Sequence, residues 1–397
     1  MTDCFESKAL TLSVQPMHVS ARGNFAAIGT IDGCISLAKL DALEGDSDAA
    51  SSSAAVQTWE AHKGSCRATL FLGSSIVSGD SRGNIHISDI ETCRLESGIR
   101  FVDSEEEEES SGGEDPEDEE EGTQEEVDCG ASCMLSLDNA NVFAVGYDDG
   151  VIRIFDKRCL TKDTAELCVH TDFVSDMDLA ASGNQFVTAS GDGTLALFDI
   201  RKHKKVARSE DDADDEMLSI QTMKGGKKVV CGHQSGILGI YSWGYWNDCS
   251  DRFPGHPGSV DTIVKVDEDT LLTGSSDGLI RVVSILPNKA LGIVGEHLSD
   301  YPVEKLCLEA ETKTLLSISH NNTVKVWSVA ELFESDNSDD ESEGGKAAAD
   351  SSDSEGEEKP SSRKRQKKNM SNQKGKGKNQ AFQSSKQAQR SAFFADM

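Results

Sequence analysis

Thr273–Val283 reads TGSSDGLIRVV: a stretch of small residues, a polar turn closed by Gly278, then five residues dominated by apolar side chains. A glycine closing a tight turn tolerates positive φ, and the run after it has the length of a strand covered on both faces. The same arrangement recurs as VGYDDGVIRIFD at 145–156, ASGDGTLALFD at 189–199 and CGHQSGILGIY at 231–241. Three looser copies are GTIDGCISLA at 29–38, SGDSRGNIHISD at 78–89 and SISHNNTVKVW at 317–327. The aligned turn residues are Gly33, Gly83, Gly150, Gly193, Gly236, Gly278 and Asn322, spaced by 50, 67, 43, 43, 42 and 44 residues.

A unit of about 40–45 residues with several short strands is the mark of a WD-repeat β-propeller. Seven units predict an all-β, seven-bladed ring over residues 1–333, followed by a disordered tail at 334–397. Each copy reads as strand b, a b–c turn and strand c of one blade, whose strands run a to d from the ring axis outward. The position five residues after the turn, where such repeats carry Trp, holds Ala38, Ser88, Phe155, Phe198, Tyr241, Val283 and Trp327. His62, His170, His256 and His297 precede strand a of blades 2, 4, 6 and 7, as expected of imidazoles that hydrogen-bond inside a blade. A ring must close or leave a strand edge open. The segment around Ser7–Leu12 is therefore expected to supply the outer strand of blade 7, in preference to the helical-looking Val329–Phe333.

The net charge of −31 is organised in blocks. Residues 103–128 hold sixteen carboxylates and no Lys or Arg, residues 209–216 hold six more, and 334–358 hold eleven against one Lys. From Lys359 to Arg390 there are eleven basic residues and no acid. Such blocks read as solvated interaction segments. No apolar run is long enough to cross a membrane, and the first residues lack the basic and apolar regions of a secretory leader. Eleven scattered cysteines, with Cys129 and Cys133 the closest pair, fit a reduced intracellular protein with buried thiols. No nucleophile–base pair, carboxylate pair or metal-ligand spacing stands out. Neither catalysis nor a cofactor is expected, and a monomeric binding platform is.

Strand order places the d–a and b–c connections on one face of the ring, and the a–b and c–d connections on the other. Both acidic runs fall in d–a connections, so Glu105, Glu106, Glu107, Glu108, Glu119, Glu120, Asp211, Asp212, Asp214 and Asp215 are expected to form an acidic face that captures basic proteins, ribosomal proteins or histones among them. The c–d connections bring Lys157-Arg158 and Arg201-Lys202-His203-Lys204-Lys205 to the opposite face. That basic underside suits acidic proteins or RNA phosphate. It has no aromatic residues interleaved in its sequence, so recognition of bases is not expected. Asp156-Lys157-Arg158 and Asp199-Ile200-Arg201 resemble the aromatic-Asp-x-Arg ending by which some propellers dock the adaptor of cullin-4 ubiquitin ligases, with Asp156, Arg158, Asp199 and Arg201 as the docking residues. The plainer reading is an Arg that pairs with the Asp of its own repeat.

In the tail, Ser338, Ser351, Ser352 and Ser354 lie among Asp and Glu, as in acid-directed phosphorylation sites. Arg363, Lys364, Arg365, Lys367 and Lys368 form a compact basic cluster that reads as a nuclear localisation signal. The chain ends Phe393-Phe394-Ala395-Asp396-Met397, an aromatic pair suited to a partner groove.

Two stretches carry a narrower resemblance. YSWGYWNDCSDRFPGH at 241–256 and TGSSDGLIRVVSILPNKALGIVGEH at 273–297 are similar to the WD repeat-containing protein 55 family, with its fungal counterparts. Ile285-Leu286-Pro287-Asn288 is the distinctive part, since strand c of such repeats ordinarily ends in Trp-Asp. The ending Phe393-Phe394-Ala395 also looks family-like. The 103–128 insertion and the poorly patterned first blade depart from the family. The resemblance implies a non-enzymatic, nucleolar scaffold needed for ribosomal RNA production and processing on the large-subunit assembly path, working on pre-ribosomal particles. Plant relatives are associated with the cullin-4 role, and a histone-binding chromatin propeller is a further class.

Overall fold

The computed structural model describes residues 5, 7–41, 56–99, 129–138, 141–160, 163–210, 215–297 and 301–333. Seven four-stranded antiparallel sheets follow one another, each a simple meander from an inner strand a to an outer strand d. The inner strands are Pro16–Arg22, Cys66–Leu72, Ala131–Ser136, Val174–Leu179, Met217–Met223, Val260–Lys265 and Val303–Glu309. Six blades are built from consecutive strands, and the seventh is not. Its outer strand is Ser7–Thr11, paired antiparallel to Thr323–Ser328 from Ser7↔Trp327 to Thr11↔Thr323. The N-terminal closure is therefore the observed one, and Ala330–Phe333 forms a single 3-10 turn instead.

The core lies between adjacent sheets, which is why every strand b carries a run of buried residues instead of an alternation. Between blades 3 and 4, Ile152, Ile154 and Ala144 pack on Val174, Phe186 and Phe198. Aromatics at the repeat's Trp position take part directly: Phe155 stacks on Phe143 at 5.6 Å and Phe198 on Phe186 at 5.1 Å. Where that position holds Ser88, the side chain is fully buried and accepts a hydrogen bond at 3.3 Å from the indole of Trp59, on strand d of the preceding blade. A tryptophan lost from one repeat is thus supplied by its neighbour.

The four repeat histidines are structural. His62, His170, His256 and His297 each place Nε2 within 2.7–2.8 Å of a Ser or Thr hydroxyl on strand b: Ser78, Thr188, Thr273 and Ser317. Trp327 donates its indole N–H to the same Ser317 hydroxyl at 2.9 Å, completing the network in blade 7. Burial, helped by Arg281 and Lys325 respectively, lowers His256 and His297 to about 4, so both are neutral near pH 7. Blade 5 reverses the arrangement, with the acid before strand a and the imidazole at the end of strand b: Asp215 Oδ2 lies 3.3 Å from His233 Nδ1.

Repeat-to-repeat bonds run along the b–c turns. The peptide N–H groups of His62, His256 and His297 donate to the carbonyls of Gly33, Gly236 and Gly278, the turn glycines of the preceding repeats. Blade 6 leaves strand c through Ile285, fully buried, and a cis Leu286–Pro287 peptide. Asn288 then accepts from the Leu286 N–H at 3.0 Å and donates at 2.7 Å to Asp251 on strand d of blade 5. The unusual Ile-Leu-Pro-Asn ending is a link between blades.

Candidate partner-binding surfaces

All seven inner strands carry a β-bulge at their second residue. Pairing passes from Pro16 to His18, Cys66 to Ala68, Ala131 to Cys133, Val174 to Asp176, Met217 to Ser219, Val260 to Thr262 and Val303 to Lys305, skipping one residue each time. A bulge re-aims the unpaired side chain. The seven skipped residues, Met17, Arg67, Ser132, Ser175, Leu218, Asp261 and Glu304, all line a cavity of about 750 Å³ at the axial mouth on the d–a face. One residue per blade thus enters the mouth, beside connection residues that include Asp148 and Asp172.

The ring of seven is polarised. Arg67, its one cation, is neutralised by Asp148 at 2.5 Å, from the b–c turn of blade 3. Asp261 and Glu304 lie on the adjacent blades 6 and 7. Glu304 is met by the half-exposed His320 at 2.7 Å. Asp261 has an Oδ2 with no hydrogen-bond partner among the described residues. Burial pushes its carboxyl up to about 6, the Glu304 charge adding to the effect while Ser259 opposes it. A carboxylate held away from water beside a second one is energetically suited to receive a cationic side chain.

The cost of this arrangement has a definite sign. Asp261 binds its proton more tightly in the folded state, so stability is lost as pH rises from the ordinary carboxylate value of about 4 to about 6. Asp261→Asn is therefore expected to stabilise the protein by about 1–3 kcal/mol at pH 7.5 and by nearly nothing at pH 4. Urea unfolding at the two pH values measures it. Equal effects at both would show that the fold does not raise the proton affinity of this carboxyl.

Below the mouth the axis is stitched by polar side chains. Asp176 of blade 4 and Lys305 of blade 7 pair across it at 3.4 Å. His18, kept neutral to about 3 by burial and by Lys305, lies 3.0 Å from the Thr69 hydroxyl of the next blade.

The two acidic runs join strand d to strand a, the first after Ile99 and before Ala131, the second after Arg208 and before Met217, so both leave the face that carries the mouth. Glu105–Glu108, Glu119, Glu120, Asp211, Asp212 and Asp214 lie outside the described residues, as do the tail serines and the cluster Arg363–Lys368. Asp215 is placed inside blade 5, accepting from the Ser235 N–H at 2.9 Å and the Ser235 hydroxyl at 2.7 Å in addition to facing His233. It builds the blade and is not a free capturing group.

On the opposite face Arg158 grips its own repeat acid, with Nε and Nη2 on the two Asp156 oxygens at 2.9 and 2.6 Å, which holds that carboxyl at about 2. Asp199 is engaged by the backbone N–H groups of Arg201 and Lys202 and by the Lys202 ammonium at 3.4 Å. The Arg201 side chain has no partner among the described residues. Cys129 and Cys133 are both buried and lie in separate core clusters, burial first pushing the Cys129 thiol up to about 12.

With this geometry in place, comparison with known proteins is decisive. The family model for WDR55 matches residues 116–332, from within the acidic insertion to the last turn of the ring. WD repeat-containing protein 55 of Arabidopsis thaliana is 36% identical over 317 residues, 79% of this chain and 80% of that protein. This chain belongs to the WDR55 family. The human WD repeat-containing protein 55 is 31% identical over 310 residues, covering 77% of this chain and 72% of the relative. The WD repeat-containing protein JIP5 of Cryptococcus neoformans is 41% identical over 198 residues, 49% of this chain and 52% of the fungal one. The family match includes both stretches that carried the resemblance in sequence, and the Asn288–Asp251 bond joins them in space. The ring of bulge residues was not foreseen. Its only trace in sequence is one residue per blade, just inside strand a, with no shared residue type.

Proposed function

We propose that this WDR55-family propeller is a non-catalytic nucleolar scaffold for ribosome biogenesis that holds basic proteins of the assembling large subunit on its d–a face. The observation that carries this is the acidic pair in the mouth: Asp261 and Glu304 are presented on adjacent blades, on the face from which both acidic runs depart. The runs raise the local concentration of basic partners through long-range attraction, and the mouth takes one Lys or Arg side chain at short range. The basic cluster of the tail directs the protein to the nucleus, and phosphorylation of the tail serines deepens its negative block. The nucleolar and ribosomal part of this reading comes from the family resemblance described above.

A second reading, docking of a cullin-4 ligase adaptor through the underside, is supported by the exposed Arg201 on the blade next to Arg158. Affinity purification of the full chain, with and without nuclease, separates the two. The expected recovery is ribosomal proteins, large-subunit assembly factors and precursor ribosomal RNA. The basic proteins should be depleted at least fivefold when Asp261→Asn and Glu304→Gln are combined. Recovery of the ligase adaptor alone, abolished by Arg158→Ala with Arg201→Ala, would replace the assembly reading. Selective recovery of histones would favour a chromatin role.

A further inference from the structure

We propose that the underside of blades 4 and 5 is a binding site for single-stranded RNA, with Tyr245 as a stacking platform beside a cluster of unpaired cations. It lies on the face opposite the acidic mouth and stands independently of the role proposed for that mouth.

The fold assembles what the sequence keeps apart. The c–d connection of blade 4 and the strand after it, Lys204–Arg208, present Arg201, Lys204 and Lys205 to solvent. The c–d connection of blade 5 does not stay over its own blade. It makes a tight turn at Ser242–Tyr245, closed by the Tyr245 N–H on the Ser242 carbonyl at 2.9 Å, and then crosses to blade 4. Trp246 is buried in the cluster between the two blades, which holds Leu195 and Leu197 of blade 4 and Met217 and Tyr241 of blade 5, with Ala207 packed against it. Asn247 accepts from the Glu210 N–H at 3.2 Å. The loop therefore reaches the outer strand of blade 4 just past its end at Arg208. Tyr245, one residue before the buried anchor, is 79% exposed at the level where strand c of blade 5 ends. Trp243 meets Trp246 edge-on at 4.9 Å and is held by the Lys227 carbonyl at 2.9 Å, which brings the exposed Lys227 to the same rim.

Arg201, Lys204, Lys205 and Lys227 have no ion-pair partner among the described residues, and the nearest repeat acid, Asp199, is already engaged. Cations without partners attract a polyanion, but they do not by themselves distinguish RNA from an acidic protein. The aromatic decides. A ring anchored from behind by a buried neighbour and left almost bare to water gains little from a chain of carboxylates, whereas it offers a nucleobase a face to stack on. A flexible single strand can turn a base onto it while its phosphates follow the lysines, and a base-paired helix cannot.

The test is equilibrium binding of a fluorescent twelve-uridine RNA to the full chain across a salt series. All proteins carry Ala at Arg363, Lys364, Arg365, Lys367 and Lys368, so that the tail does not dominate. Tyr245→Ala is expected to weaken binding at least fivefold with the salt slope unchanged, and Tyr245→Phe to restore it. Lys204→Ala with Lys205→Ala should weaken binding about tenfold and reduce the slope by about 1.4, two phosphate contacts on a single strand. Because these side chains are exposed, the melting temperature should not move. Unchanged affinity in Tyr245→Ala overturns the proposal. So does a twelve-glutamate peptide that binds as tightly and responds to the same variants, since that marks an acidic-protein site.

Discussion

Removal of residues 1–13 is expected to lower the melting temperature by more than about 10 °C and to make the protein prone to association. Ser7–Thr11 supplies five register pairs to strand c of blade 7, and the Leu12 N–H adds a bond to the Asn322 carbonyl at 2.8 Å. Leu10 is buried in one cluster with Leu316, Ile318, Val324 and Val326 of blade 7 and with Val19 and Ile28 of blade 1. Losing a buried leucine alone costs about 2–5 kcal/mol. Deleting the strand adds the bared edge of Thr323–Ser328, an open template for pairing with another chain. At about 2–4 °C per kcal/mol for a large domain, the two effects together exceed 10 °C. Calorimetry with light scattering reads both, and an unchanged melting temperature would mean that the ring closes without this strand. Leu10→Ala should show a fraction of the shift without the association, because the edge stays covered.

Gly150→Ala is expected to destabilise the fold by about 3 kcal/mol or more, and Gly225→Ala by about 1 kcal/mol, although both glycines have positive φ. Gly150 has φ of 78°, and a Cβ there would lie 2.7 Å from the Asp172 carbonyl oxygen and 2.8 Å from that of His170. Both carbonyls belong to the connection that leads into the next blade, so the backbone cannot yield without parting two blades. Gly225 has φ of 62° and open space where its Cβ would stand. The pair separates strain of the turn from loss of the blade contact, and denaturant titration of both variants measures the difference. Equal costs would show that the turn conformation alone explains why glycine recurs at this position.

That comparison also explains why the turn residue was so informative. In blades 1, 3 and 5 the glycine must adopt positive φ and also let a carbonyl of the following connection approach, which excludes every side chain. The residue five places later only has to fill space between sheets, so Phe198, Val283 or Ser88 can serve, the last because Trp59 reaches in from the preceding blade. A turn constraint is local and leaves a fixed letter. A packing constraint is shared between neighbours and leaves a variable one.

The period of the turns, the open edge it implied and the imidazoles at the head of blades 2, 4, 6 and 7 determined the ring, its closure by Ser7–Thr11 and the structural place of His62, His170, His256 and His297. Each depends on chain spacing or on a conformation that few residues adopt, and so is written in order along the chain. Only the tertiary structure decided which side chains meet. The bulges turn one unmarked residue of each inner strand into the axial mouth and set Asp261 beside Glu304. Asp215 passes from an acidic run into the interior of blade 5. Asn247 meets Glu210 of blade 4 because the blade 5 connection is anchored between the two blades by Trp246. These placements are fixed by how strands and sheets pack around the axis, and no spacing along the sequence records them.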